Sequence, residues 1–260
     1  MSNTIKPVLL VTHERSGSHF MFNSLAVNFN HTIKSFTPIG LPAKTHNYYS
    51  LIGDTKDYKE ALGLFLKMAA FSPDGSGRKM FKTHHDIAFL EGSRDYLDQY
   101  NVIYVERECK DVLTSLYYYF RNSGPNRDFP NMEGLSLRDF VLNTKPGNYQ
   151  FDIDYSHVES SNFVERWKYH REGWVNSDIP LIKTSYEDLS NSYNDTMSDI
   201  ADKLGFDAPN TWYRPDVGEF VSVDARKGVV GDWQNLFEGE ESLVEEIEAI
   251  LNDENNTRPK

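Results

Sequence analysis

The run Val8-Leu9-Leu10-Val11-Thr12-His13-Glu14-Arg15-Ser16-Gly17-Ser18-His19-Phe20 constrains this chain more than any other stretch. An apolar, β-branched run stops at a charged turn rich in serine and glycine. An amphipathic helical pattern through Phe20, Met21, Leu25 and Phe29 follows at once. Strand, tight turn and helix start together aim backbone N–H groups and a helix dipole at an anion. Arg15 adds a fixed charge whose forked donors suit phosphate or sulfate. Ser16 and Ser18 add hydroxyls, and Gly17 permits close backbone approach. The nucleotide-kinase pattern G-x-x-x-x-G-K-[ST] does not occur, so the turn specifies an anion without specifying which one.

Three further apolar runs, Lys79–Lys82, Val102–Val105 and Leu181–Lys183, read with Val8–Val11 as buried strands. Helical patterns lie between or after them: Lys110–Arg121, Asn162–Asn176, and Tyr193–Leu204 closed by Gly205. A last helix is expected over Ser242–Leu251, with Asn252–Lys260 as a flexible polar tail. This alternation predicts an α/β fold, a parallel sheet flanked by helices on both faces. Phe163, Trp167, His170 and Trp174 recur at helical spacing and read as a packing face. Residues 34–57 and 122–161 lack clear periodicity and carry Pro38, Gly40, Tyr48, Tyr49, Phe129, Pro146, Tyr149 and Phe151. Loops this long and aromatic read as lids over a site. With no linker or repeat in view, one domain over residues 1–260 is expected.

A hydrophobic share of 39% over 260 residues supplies a core. The net charge of −12 argues against nucleic acid or an anionic membrane as partner. Cys109 is the only cysteine, so no intrachain disulfide forms and a reducing compartment is favoured. Met1–Lys6 is polar and the first apolar run is too short to anchor a chain. A cytoplasmic protein without stable membrane insertion is expected. No histidine pair has helical ligand spacing beside a carboxylate, so no metal site is expected either. For the same reason His13, His19, His31, His46 and His157 read as surface, loop or core residues by themselves.

Three more segments carry chemistry. Lys79-Met80-Phe81-Lys82-Thr83-His84-His85-Asp86 is a strand running out into polar residues. Alternation puts Lys82 and His84 on one face and His85 on the other, at the carboxyl end where α/β sheets place ligands. Val102 through Ser115 repeats the strand-turn-helix form. Arg107 there either meets an anionic ligand together with Ser115 or pairs with Asp111. Ala225-Arg226-Lys227-Gly228-Val229-Val230-Gly231-Asp232-Trp233 reads as a flexible cationic loop suited to a phosphate.

In this order these segments resemble the sulfotransferases that use 3′-phosphoadenosine 5′-phosphosulfate (PAPS). Thr12 through Phe20 is similar to the family's 5′-phosphosulfate loop, and Phe81-Lys82-Thr83-His84 to its Lys-Thr-His segment. Ile103 through Ser115 resembles the 3′-phosphate motif, with Arg and Ser eight apart. Ser185-Tyr186-Glu187-Asp188-Leu189 resembles a Tyr-Glu-Asp segment near the nucleotide. Arg226 through Phe237 is similar to the C-terminal Arg-Lys-Gly and Gly-Asp-Trp signature.

The resemblance implies the P-loop-kinase-like sulfotransferase fold. It also implies sulfuryl transfer from PAPS to an acceptor hydroxyl or amine, with 3′-phosphoadenosine 5′-phosphate (PAP) as product and no metal. His84 would be the general base, with Lys82 and Arg15 stabilising the leaving oxygen. Arg15, Ser16, Gly17, Ser18 and His19 would cradle the phosphosulfate. Phe20 and Tyr186 would contact adenine or ribose, and Arg107, Ser115, Arg226, Lys227 and Gly228 would hold the 3′-phosphate. The acceptor would be a small molecule, glycan or lipid. A P-loop kinase or a non-catalytic PAPS- or PAP-binding module are the alternative readings.

The chain departs from the cytosolic branch at Arg15, His19 and Phe20, where Lys, Thr and Trp are usual. Glu14 stands where that branch has Pro, and Asp86 where a Leu-Pro pair ends the histidine segment. The family's short dimer motif is not recognisable, which leaves the oligomeric state open.

Overall fold

A computed structural model of the chain describes residues 6–29, 80–88, 94–122, 132–146, 160–216 and 227–256. The described residues gather into two compact units, each discontinuous in sequence. One comprises Met1–Glu106 and Ser177–Gly228, the other Arg107–Asn176 and Val229–Lys260.

The first unit is built on four parallel strands in the order β2-β1-β3-β4: β1 (Val8–Thr12), β2 (Met80–Thr83), β3 (Asn101–Glu106) and β4 (Leu181–Ser185). All four expected strands form. Leu9, Leu10, Val11, Ile103 and Val105 are completely buried, as a parallel sheet covered on both faces requires. β4 departs from the expectation of a buried strand. It lies at the sheet edge, its residues are only half-buried and Lys183 is exposed, a charge that discourages further pairing.

Among the described residues, helices α1 (Ser18–Asn28), α2 (Arg94–Leu97), α5 (Tyr186–Asn191) and α6 (Tyr193–Leu204) belong to this unit. Its core packs Met21, Phe22 and Leu25 of α1 and Met197, Ile200 and Leu204 of α6 against Val8, Leu10 and Ile103 of the sheet. Gly205 ends α6 in the left-handed conformation, and the Phe206 N–H returns to the Ala201 carbonyl at 2.9 Å. Because the chain goes from β1 to one side for β2 and to the other for β3, the strand order reverses beside β1. That is the position where open α/β sheets bind ligands at their carboxyl edge.

The second unit is helical, with α3 (Cys109–Asn122), α4 (Phe163–Val175), α7 (Trp233–Leu236) and α8 (Glu241–Asn252). Asn162 caps α4 by accepting the Glu165 N–H at 2.9 Å, while Glu165 takes the Ser161 N–H at 2.7 Å, close to a reciprocal capping box. Phe163 and Trp174 are buried and His170 is fully so, the packing face that the spacing predicts.

Part of 122–161 behaves otherwise than its irregular sequence suggests. Asp139–Asn143 forms a π-helical stretch whose Phe140 and Val141 are completely buried, with Phe140 stacked on Phe163. The C-terminal segment is held as far as it is described. Lys168 donates to the carbonyls of Ile250 and Asp253, and the Tyr169 hydroxyl donates to Asn256 at 2.6 Å. Residues 257–260 and 34–57 lie outside the described residues, as do His31, His46, Tyr48, Tyr49, Phe129, Tyr149, Phe151 and His157.

Candidate active site

Parallel pairing sets Leu10 beside Lys82 and Val11 beside Thr83. One step further along the same register, Thr12 faces His84. There the Thr12 carbonyl lies 2.9 Å from His84 Nδ1, and the Thr12 hydroxyl 3.0 Å from the same atom. A carbonyl oxygen only accepts, so Nδ1 carries the hydrogen and the lone pair sits on Nε2. His84 is buried, and its pKa is lowered to about 3, first by desolvation and then by the Lys82 charge. Its imidazole therefore stays neutral, with Nε2 unprotonated.

His85 takes a different role. Its N–H donates to the Thr83 hydroxyl at 3.1 Å, and that hydroxyl meets its Nδ1 at 2.9 Å. The ring is thus folded back on its own strand.

Lys82 is 4% exposed, and its ammonium reaches the His19 Nε2 at 3.1 Å from the first turn of α1. Burial, then the Arg15 charge, lowers its pKa to about 8. Arg15 itself sits at φ 65°, a left-handed conformation that a non-glycine residue adopts only under constraint. Beside it the Ser16 hydroxyl is completely buried with no hydrogen-bond partner among the described residues. Two crowded cations, Arg15 of the strand-to-helix turn and Lys82 of β2, and the unsatisfied buried Ser16 hydroxyl fit an anionic ligand carrying acceptor oxygens.

Glu14 is buried, with its carboxylate 3.4 Å from His13 Nε2. It is also among the charges acting on His84, where it opposes the lowering. Gly17 lies under the ring of Tyr186, so close that a Cβ there would stand 2.3 Å from a ring carbon. The Tyr186 hydroxyl donates to the Gly228 carbonyl at 2.7 Å. Tyr186, 5% exposed, thus clamps the first turn, a role the sequence did not suggest. Phe20 stacks on Tyr193 at 5.8 Å and meets Tyr186 edge-on at 6.0 Å. Ser18 is buried.

In the second unit, Arg107 Nη2 donates to the Val229 carbonyl at 3.2 Å, and the Arg107 carbonyl accepts from the Trp167 indole at 3.1 Å. Asp111 accepts from the backbone N–H groups of Gly231 and Trp233. Ser115 lies on α3, two turns beyond Arg107. Lys227 is exposed, and Arg226 lies outside the described residues.

A family model described as "Sulfotransferase domain" matches residues 6–218. The chain belongs to the sulfotransferase family. The Arg226–Phe237 signature falls beyond that match and stands on its own residues. Among curated relatives of this sulfotransferase-family chain, Sulfotransferase 1A1 of Canis lupus familiaris is 25% identical over 63% of the chain and 58% of its own length. Sulfotransferase 1E1 of Rattus norvegicus is 28% identical over 65% and 59%. The matched part of the chain thus spans under two thirds of these relatives.

Among solved structures, mouse sulfotransferase SULT7A1 complexed with PAP is similar with a TM-score of 0.58 at 17% identity, over 98% of this chain and 92% of that one. Retinol dehydratase in complex with androsterone and the inactive cofactor PAP gives 0.57 at 18%, over 95% and 81%. Both likenesses establish the α/β sulfotransferase fold. No helix among the described residues is long and apolar enough to cross a membrane.

Proposed function

We propose that this chain catalyses PAPS-dependent sulfuryl transfer to the hydroxyl of a small-molecule acceptor. The observation that carries the reading is the buried His84 imidazole, its Nδ1–H held by Thr12, its Nε2 left unprotonated and the ring within the field of the Lys82 charge. Family membership and two solved neighbours whose complexes contain PAP support the donor.

Sulfuryl transfer is in-line, like phosphoryl transfer, and the protein's task is to position both partners and stabilise the charge that develops. The acceptor oxygen forms the new S–O bond as the bond from sulfur to the bridging oxygen breaks. The acceptor proton passes to His84 Nε2, and the electron pair leaves on PAP. Lys82 and Arg15 meet the charge on the leaving oxygen, and the buried Ser16 hydroxyl donates to a phosphosulfate oxygen with Ser18, His19 and the Gly17 backbone around it. Arg107 and Ser115, with Arg226, Lys227 and Gly228, hold the 3′-phosphate. Phe20 and Tyr186 border the nucleoside.

The test is transfer of labelled sulfate from PAPS across phenols, alcohols, sugars and amines. His84→Ala is expected to lose at least about a hundredfold in turnover, the usual contribution of a general base, while PAP still binds. His85→Ala is expected to retain turnover. Comparable turnover in His84→Ala, or its loss in His85→Ala alone, refutes the assignment. Turnover with ATP and magnesium instead of PAPS refutes the reaction class.

A further inference from the structure

We infer that Asp111 is a positioning residue for 3′-phosphate recognition, because its buried carboxylate fixes the backbone turn Gly231–Trp233 that follows the cationic segment. The inference rests on the proposed use of PAPS.

Asp111 is 1% exposed on the first turn of α3. One carboxylate oxygen accepts the Gly231 N–H at 2.7 Å and the other the Trp233 N–H at 3.1 Å. A buried charge is tolerated only when its oxygens are so satisfied, and charge-assisted bonds to backbone donors are among the stronger ones. The neighbouring residues reinforce the turn. Glu108 accepts the Asp111 N–H at 3.2 Å, and the Lys110 ammonium lies 4.8 Å from the centre of the Trp233 ring.

Gly231 sits at φ 79°, a conformation glycine adopts readily, and Gln234 N–H closes onto its carbonyl at 3.2 Å. Two residues earlier the Val229 carbonyl receives Arg107. Asp111 and Arg107 together therefore set the path of residues 229–233. An Arg107–Asp111 pair is one of the two readings that the sequence leaves open. Both Asp111 oxygens instead hold backbone, and Arg107 reaches the same segment from the same helix start.

The experiment is calorimetric titration of the full chain with PAP and with AMP, which differ by the 3′-phosphate, plus donor kinetics. In Asp111→Asn an amide NH2 must face a backbone N–H, and PAP binding is expected to weaken at least about tenfold, the size of a charged hydrogen bond. AMP binding is expected to hold within about twofold. The donor KM rises in step, and kcat at saturating PAPS stays within about threefold, because no reacting atom is touched.

Gly231→Ala is the second variant. An added Cβ meets nothing within 4 Å, so only the left-handed backbone is strained, and the same loss of PAP preference follows. Folded Asp111→Asn and Gly231→Ala proteins that keep the wild-type PAP-to-AMP ratio overturn the inference while leaving the function intact. A wild-type chain with no preference for PAP over AMP overturns the PAPS reading and the inference with it.

Discussion

Replacing Gly17 by Ala tests how the first turn is built. Gly17 occupies φ 87°, and a Cβ on it would lie 2.3 and 2.9 Å from two ring carbons of Tyr186. The obstacle is an aromatic ring, not a flexible chain end. That ring is buried and tethered by its hydroxyl to the Gly228 carbonyl. Three costs follow: about 1–2 kcal/mol for a side chain in the left-handed region, about 1–3 kcal/mol for overpacking, and about 0.5–1.5 kcal/mol for the strained or broken hydrogen bond. Together they amount to roughly 3–6 kcal/mol, a large share of the ~5–15 kcal/mol that holds a typical protein folded.

Urea denaturation of the wild type, Gly17→Ala, Tyr186→Ala and the double variant measures each part. Removing the ring removes the clash and the hydrogen bond, so in the Tyr186→Ala background Gly17→Ala should cost only the backbone term. The coupling energy should then be about 2–4 kcal/mol. A Gly17→Ala cost below ~1 kcal/mol, or the same cost in both backgrounds, refutes the reasoning.

Lys82→Met should raise stability at pH 7 by up to about 3 kcal/mol while abolishing transfer, a stability–activity trade measured by thermal unfolding and the labelled assay. The folded pKa of about 8 lies below the ordinary 10.5, so the wild type holds an unfavourable buried charge below pH 8 and gains stability as pH rises from 8 towards 10.5, a gain the variant lacks. His84 acts in the same sense at lower pH. Its folded pKa of about 3 lies below the ordinary 6.5, so only the unfolded state takes up the proton between those values, and up to about 5 kcal/mol is lost as pH falls through that window. His84→Gln should flatten that part of the pH–stability curve, and an unchanged slope refutes the neutral buried imidazole.

Strands and long helices were legible because each carries a periodic apolar pattern of its own. The second-shortest signals were not. Ser185 caps α5 by accepting the Asp188 N–H at 2.9 Å, with Glu187 and Asp188 in the first turn, yet those residues read first as a motif. Ser136 likewise receives the Asp139 N–H at 3.0 Å, a capping pattern hidden in a segment punctuated by prolines and glycines. The placement of Lys82 and His84 at a strand end followed from alternation. Thr12 as the partner of His84 followed from parallel register, which no single strand reveals. The Tyr186 ring over Gly17 and the Asp111 turn belong to packing between segments 169 and 120 positions apart, beyond what local pattern encodes.

The electrostatics of the first turn bear on the order of events under the proposed mechanism. The chain carries a net charge of −12, yet burial brings Lys82 under the influence of Arg15, and His84 under that of Lys82. Desolvation and mutual repulsion depress both titrating groups, so the protein holds positive charge there at a cost that an anion relieves. A phosphosulfate would offset the Lys82 field at His84 and strengthen the imidazole as a base. A base whose pKa is about 3 abstracts a proton poorly, and one restored towards the ordinary histidine range does so well. Under the proposed mechanism, donor binding would raise the His84 pKa and so favour acceptor deprotonation. Thr12 contributes the other half of this control, since by holding Nδ1–H it leaves Nε2 as the site where the proton arrives.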